Sequence, residues 1–328
     1  MGIALNACSS MSKILLTGSS GFIGQALARR LLAEGHRLRL PVRSPLSWQS
    51  DNAMVFPFDG LEATTDWSGA LVGVDVVVHC AGRTPDMNKT ASDALAEYHR
   101  CNVDGSVRLA GQAARAGARR FVFVSSVEVC GEQTQPEQPF SIESVPAPVS
   151  PFAVSKLEAE RALFALTASS RMEIVIIRPP PVYGPGVKGD FHALMQWLDH
   201  GKPLPLAGVE SRRSMVSRSN LVDFLTHCIH HPAAAGHILH VSDGKDLTLS
   251  TLLFQLGEAL GKPPRLTHMS AWLLKNRARL SGRYALIERL KTSMQIDIEH
   301  TRRLLNWTPP YEIDDSLAQT VAHFRKHP

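Results

Sequence analysis

Lys13-Ile-Leu-Leu-Thr-Gly-Ser-Ser-Gly-Phe-Ile-Gly24 joins a short apolar strand to a glycine-rich turn that opens a helix. A strand–turn–helix of this kind is a phosphate-binding device. Gly18 permits the tight turn, Gly21 lets backbone amides approach a pyrophosphate, and Gly24 lets the helix pack closely on the strand, while the helix N-terminus supplies positive dipole. Ser20, Phe22 and Ile23 complete the residues placed around such a ligand, and the helix is predicted over Phe22–Ala33. The spacing G-x-x-G-x-x-G is one residue longer at the front than the common dinucleotide fingerprint.

Outward from this turn, strands alternate with amphipathic helices, the pattern of a parallel sheet wound with helices on both faces, an α/β Rossmann-type fold. Strands are predicted at Lys13–Thr17, Arg37–Val42, Met54–Phe58, Val74–His79, Arg120–Ser125 and Glu173–Arg178. Helices are predicted at Asp93–Ala116, ending at Gly117, and at Pro151–Thr167, with proline in the first turn. Gly131–Ser150, rich in Pro, Gln, Glu and Ser, reads as a surface loop. After Pro179-Pro180-Pro181 the chain becomes loops punctuated by Gly and Pro with shorter helices. The expected division is a leader over 1–10, a dinucleotide-binding domain over 11–178, and a smaller substrate-binding lobe over 179–328, with segments able to return to the first domain. Met11 is an alternative start.

Composition narrows the setting. A chain of 328 residues with 44% hydrophobic content can bury a sizeable core. No apolar stretch approaches the ~20 residues of a membrane helix, so no span is expected. Five scattered cysteines without a C-x-x-C pair indicate neither a disulfide framework nor a zinc site, which fits a reducing, cytoplasmic setting. The net charge of +5 suits an anionic ligand such as a nucleotide, but the basic residues are not blocked together and do not imply nucleic acid. At the end of the second strand, Arg43 stands where NAD-binding folds place an acid, which favours NADP over NAD. Asp59 and Gly60 follow the third strand, where a carboxylate can accept from adenine.

These motifs resemble the extended short-chain dehydrogenase/reductase family, specifically its NAD(P)-dependent nucleotide-sugar epimerases, dehydratases and 4-keto reductases. Thr17–Gly24 resembles the family's T-G-x-x-G-F-I-G, and His79-Cys80-Ala81-Gly82 its cofactor-lining fourth strand, with Arg83 next in line for the substrate. Asn102-Val-Asp-Gly105 is similar to its N-V-x-G helix. Ser125-Ser126-Val-Glu-Val-Cys-Gly131 resembles S-S-x-x-V-Y-G, which places Ser126 at the catalytic Ser/Thr position and Ser125 beside the cofactor. Arg178–Gly186 resembles R-P-x-x-V-Y-G-P-G, the turn under the nicotinamide, with Pro179 at the cofactor. Arg213-Ser-Met-Val216 resembles the segment whose arginine clasps the substrate's diphosphate, chemistry suited to a guanidinium fork.

The family motif Tyr-x-x-x-Lys appears here as Phe152-Ala-Val-Ser-Lys156. The resemblance implies that Lys156 binds the cofactor ribose, while Phe152 has no proton to exchange. Loss of a positioned acid/base costs on the order of 10²–10⁴ in rate. Three accounts stay open: an engineered variant of an active enzyme, a natural member with another proton donor, or a binding-only relative. Ser126 can still hydrogen-bond the sugar oxygen, and Glu128 sits where dehydratase relatives carry an acid. Asp190, beside Phe191, replaces an Asn that contacts the diphosphate in relatives; a carboxylate there repels that group unless turned away or paired. Pro181 and Ser219 also depart from the pattern.

Other signals receive ordinary readings. His227, His230 and His231 have ligand spacing on a helix but no acidic or cysteine partner, so no metal is assigned. Trp272–Leu290 reads as an amphipathic helix with a solvated basic face, and Trp307 as core. The resemblance implies reduction or epimerisation at C4 of a UDP-sugar by a homodimer formed through Asp93–Ala116 and Pro151–Thr167. The alternative is an NADP(H)-binding or sensing protein that has lost proton transfer.

Overall fold

The computed structural model describes residues 11–46, 48–84, 91–135, 137–268 and 284–327. The leader 1–10 and residues 272–283 of the basic stretch lie outside them. The first half of the chain runs β1 (Lys13–Thr17), α1 (Phe22–Ala33), β2 (Arg37–Val42), β3 (Ala53–Pro57), α2 (Ser68–Leu71), β4 (Val76–His79) and α3 (Ala91–Tyr98). A π-helical segment, His99–Asp104, leads from α3 into α4 (Gly105–Arg115), followed by β5 (Arg120–Val124), α5 (Pro151–Ala165) and β6 (Glu173–Arg178). Then come β7 (Val182–Tyr183), α6 (Gly189–Asp199), β8 (Arg212–Arg213), β9 (Val216–Ser217), α7 (Arg218–His230), β10 (Ile238–His240), β11 (Leu247–Thr248) and α8 (Leu249–Ala259). Helices Tyr284–Lys291, Glu299–Leu305 and Ile313–Lys326 close the described chain.

The main sheet has seven strands in the order β10-β6-β5-β4-β1-β2-β3. From β6 to β3 every pairing is parallel, Leu15 lying opposite Val77 on one side and Arg39 on the other. Order 3-2-1-4-5-6 reverses direction beside β1, and ligands of such sheets bind at that switch point, outside the carboxyl ends of the strands. The central strands are continuous apolar runs because both of their faces are covered; Val76–His79 and Arg120–Val124 are buried throughout. One core cluster joins Leu15, Val77, Phe121, Phe123, Ile174 and Ile176 to Leu109, Ala110 and Ala113 of α4 and to Ala159 and Leu163 of α5.

By its contacts the chain forms two compact units, each assembled from three segments. The first contains the residues through Ser125, then Ser150–Ile177 and Leu225–Ile238; the second contains Ser126–Val149, Arg178–Phe224 and the chain from Leu239 onward. In the second unit Phe140 packs on Val127, Met294, Ile296 and Ile298. Trp307, only 4% exposed, packs its ring on Phe224 at 4.7 Å and donates from Nε1 to Asp223.

Local structure differs from the sequence reading at a few ends. The fourth strand starts at Val76 rather than Val74, because Asp75 turns its carboxylate to the Lys13 amide at 2.7 Å before the ladder begins. The expected single helix 93–116 carries a π-helical segment in its middle, which includes Asn102. Helix α5 ends at Ala165 and tightens into a single 3₁₀ turn, Leu166–Ala168. The segment 131–150 holds no helix among its described residues and meets the rest of its unit through a Phe140–Ile296 bridge.

Candidate active site

In the first unit the turn between β1 and α1 is set by backbone proximity. Gly18 takes φ +75°, and a Cβ there would stand 2.8 Å from the Ala81 nitrogen; at Gly24 it would stand 2.1 Å from the Gly18 carbonyl oxygen. Both positions therefore exclude a side chain. The Gly21 amide donates to the Gly18 carbonyl at 2.9 Å, closing the turn. Helix α1 then begins with no side-chain cap and no acid in its first turn. A helix N-terminus in that condition presents its positive dipole uncompensated by a side chain, which fits the phosphates of a dinucleotide.

The ends of β1 and β4 are tied by a buried relay. Thr17 Oγ1 accepts from the Ala81 amide at 3.2 Å and lies 2.6 Å from His79 Nδ1. His79 Nε2 lies 2.9 Å from Ser106 Oγ, which donates to the Asn102 carbonyl at 2.6 Å. The network reads as Thr17 donating to Nδ1 and Nε2–H donating to Ser106, a neutral tautomer. Burial holds the His79 imidazole down to about 3, and the Lys156 charge pulls the same way. Cys80 follows, its thiol pushed up to about 12 by burial, so it is no thiolate nucleophile at neutral pH.

Asn102 fastens the loop after β4 to helix α5. Its Oδ1 accepts from the Arg83 amide at 2.7 Å, and its Nδ2 donates to the Arg83 carbonyl and to Ser155 Oγ at 3.1 and 3.0 Å. Gly82 gives it room, since a Cβ there would come within 3.1 Å of Oδ1. Ser155 in turn donates to the Phe152 carbonyl at 2.7 Å. The Phe152 ring meets Tyr98 edge-on, centroids 6.1 Å apart, and Tyr98 donates to the Thr84 carbonyl at 3.3 Å. The Arg83 guanidinium is paired with Glu97 at 2.7 Å.

Lys156 points inward from α5. Its Nζ donates to the Val124 carbonyl at 2.6 Å and lies 4.1 Å from the Phe123 ring centroid. Burial pulls this ammonium down to about 8, against the opposing charge of Glu160 one turn on. Glu160, also buried, accepts from Ser125 Oγ at 2.5 Å. Arg43 is exposed at the end of β2, with no ion pair among the described residues, whereas Arg39 is engaged by the Phe56 ring and the Gly69 carbonyl. Asp59 is exposed, and the Gly60 carbonyl accepts from Thr65.

In the second unit Ser126 caps a single turn, Val127–Val129, accepting from the Glu128 amide at 3.2 Å. The Val127 amide donates to the carbonyl of the buried Pro179. Tyr183 donates to Asp243 at 2.8 Å and stacks on Phe191 at 5.5 Å. Burial and that carboxylate push the Tyr183 phenol well above its ordinary value, so it is a structural donor rather than a proton carrier.

Asp190, the position where a carboxylate was expected to need a partner, has one. Arg289 grips it through both oxygens, Nε–Oδ2 2.7 Å and Nη2–Oδ1 2.8 Å. Arg213 donates from Nη2 to the Arg289 carbonyl and leaves its buried Nε without a partner. Burial pulls the Arg213 guanidinium below its ordinary value; Asp190 opposes this and Arg289 adds to it. The basic stretch read as a solvated face thus contributes Arg289 to this cluster. Of the three histidines at the end of α7 and just beyond it, His227 and His231 stack on each other at 4.8 Å, and His230 stacks on His36 at 5.1 Å.

From sequence Asn102 stood only as part of the N-V-x-G motif and Arg289 only as part of a solvated basic face, and Glu160 was not singled out. Glu160 carried a usable signal, four residues after Lys156 on one helical face. Arg289 carried none, since its partner lies ninety-nine positions away.

Comparison with known proteins agrees with this geometry. The profile of the NAD dependent epimerase/dehydratase family matches residues 14–242. A UDP-glucose 4-epimerase of Vibrio cholerae is 40% identical over 313 residues, 95% of each chain. Among solved structures, MoeE5 in complex with UDP-glucose and NAD superposes with a TM-score of 0.77 at 25% identity, covering 96% of this chain and 99% of that one. The Bacillus cereus UDP-glucuronic acid 4-epimerase, in complex with UDP-glucuronic acid and NAD, shares the fold with a TM-score of 0.79 at 20% identity, over 96% and 99% of the two chains. No helix of the described residues is long and apolar enough to cross a membrane. The glycine turn, the parallel sheet and the matched profile together assign the chain: it is an enzyme of the NAD dependent epimerase/dehydratase family, of the short-chain dehydrogenase/reductase type.

Proposed function

We propose that this protein acts at C4 of a UDP-sugar, epimerising it or reducing its 4-keto form, with NAD(P) as the hydride carrier. The observation that carries the reading is Lys156 of α5, buried with its Nζ on the Val124 carbonyl at the carboxyl end of β5 and one turn from the Ser125–Glu160 pair, in the unit whose glycine turn fits a pyrophosphate. The 40% identity to the UDP-glucose 4-epimerase of Vibrio cholerae supports epimerisation. When bound, the dinucleotide supplies reversible hydride exchange with the sugar carbon. The amides of the Gly18–Gly24 turn hold its phosphates, Lys156 its ribose, and exposed Arg43 favours a 2′-phosphate and hence NADP.

On the substrate side, Arg213 and Arg289 present guanidinium groups to the diphosphate. Ser126 orients the sugar oxygen: its Oγ accepts from the Glu128 amide, which leaves its own O–H to donate. Phe152 takes the tyrosine's place and moves no proton, so exchange at the sugar oxygen falls to Ser126 and solvent. Cytoplasmic location and a homodimer formed through the helices of 93–116 and 151–167 belong to the same reading.

Phe152 also favours a second reading, a protein that binds NADP(H) without turnover. Phe152→Tyr separates the two. Assayed for UDP-sugar epimerisation and 4-keto-sugar reduction, the phenol is expected to raise turnover by about 10²-fold or more. No gain in either reaction, with NADPH still bound, favours the binding protein.

A further inference from the structure

We infer that Asp190 is a built-in stand-in for the ligand's diphosphate, occupying Arg289 until a nucleotide displaces it, and so sets how strongly this enzyme holds its substrate. The inference rests on the nucleotide-sugar reading above. Its basis is geometric. Both carboxylate oxygens meet the Nε and Nη2 edge of Arg289, the face a guanidinium turns to a phosphate. The same helix, Tyr284–Lys291, receives Arg213 at the Arg289 carbonyl, so the two arginines and the carboxylate form one cluster. Arg213 is the partly buried member, with a buried Nε unsatisfied, and Asp190 and Arg289 are the half-exposed members that can part.

Two guanidinium groups alone would present two positive charges to a diphosphate. Asp190 cancels one of them and fills the fork that would otherwise bind at once. A nucleotide therefore has to exchange one carboxylate for one phosphate at Arg289, a near-even trade, and draws its net affinity from Arg213 and the rest of the site. An amide at position 190 cannot pair with Arg289 as an ion, so the fork would stand ready. Asp190 is on this account a specificity-determining residue: it lowers affinity for any phosphate that reaches the cluster and leaves selection to the remaining contacts.

Calorimetric titration with UDP tests this on the full chain, using wild type, Asp190→Asn, Arg289→Gln and the double variant, each checked by its thermal midpoint. Both side chains are half exposed, so the fold is expected to tolerate each change. Asp190→Asn is expected to bind UDP about fivefold more tightly at low ionic strength, the scale of an exposed charge pair, with the gain vanishing toward 1 M salt. In the Arg289→Gln background the same change is expected to give less than about twofold, because the carboxylate acts through that arginine. Unchanged or weaker binding by Asp190→Asn overturns the inference, as does an equal gain without Arg289. Failure of the wild type to bind UDP at millimolar concentration overturns the nucleotide reading and this inference with it, whereas wild-type binding with no gain overturns the inference alone.

Discussion

Ser125 donates its hydroxyl proton to Glu160 at 2.5 Å, and Glu160 stands one helical turn beyond Lys156, so two buried groups of opposite charge share one face of α5. The carboxylate keeps the ammonium charged where burial alone would neutralise it. Cys80 and His79 are the other titratable groups near Lys156, and where Lys156 titrates both are neutral, the thiol and the imidazole alike held uncharged by burial. Glu160→Gln keeps the Ser125 hydrogen bond but removes the charge, so Lys156 loses its proton at lower pH. Titration of NADPH against pH is expected to show the alkaline loss of binding, near pH 8 in the wild type, moved toward neutrality. Glu160→Ala, which strands a buried ammonium, is expected to lower unfolding free energy by ~3 kcal/mol.

The glycine turn separates packing from binding. A Cβ at Gly24 would sit 2.1 Å from the Gly18 carbonyl oxygen, within the backbone itself, whereas one at Gly21 would sit 3.2 Å from the same atom. Gly24→Ala is expected to cost about 3 kcal/mol in urea unfolding, the upper range for overpacking. Gly21→Ala is expected to unfold close to wild type yet bind NADPH more weakly, because its methyl group crowds the amides that face the phosphates. Equal stability losses in the two variants would contradict the turn's assigned geometry.

How much of this was legible follows from how local each device is. The β1 turn and α1 are consecutive in sequence, and Gly18 and Gly24 are required by contacts within one short stretch plus the end of β4. Parallel order likewise follows from apolar strands buried on both faces. Asn102 was visible as part of a motif, but its purpose depends on Arg83 and Ser155, which only the folded chain brings to it. Asp190 raised a question that sequence could pose and not answer, because Arg289 reaches it from a helix ninety-nine residues on. Strand β4 begins later than its sequence suggests because Val74 extends the apolar run of Val76–Val78, while the intervening Asp75 is committed to the Lys13 amide.

Arg43 decides the cofactor prediction. It is exposed with no ion pair among the described residues, while neighbouring Arg39 is spent on Phe56 and Gly69. Arg43→Ala is expected to weaken NADPH binding by about tenfold, the size of a charge-assisted hydrogen bond to phosphate, and to leave NADH within about twofold of wild type. Equal losses for the two cofactors, measured by fluorescence titration, would remove the preference for NADP.

His79 gives the fold an acid sensitivity whose sign is fixed by its burial. Its folded pKa is depressed to about 3 from 6.5, so the native state refuses a proton that the unfolded chain accepts. Above pH 6.5 neither state is protonated and the group contributes nothing to pH dependence. Between 6.5 and about 3 the unfolded state binds more protons, and stability falls as pH falls. At pH 5 the loss attributable to His79 is ~2 kcal/mol, from ~1.4 kcal/mol per pH unit. His79→Gln, which cannot titrate, gives up the Thr17–His79–Ser106 relay and is expected to be less stable than wild type at pH 8. Urea unfolding of the pair from pH 8 to pH 5 is expected to show that gap narrowing as the wild type alone pays for exclusion of the proton, while parallel profiles would mean that His79 is protonated within the fold.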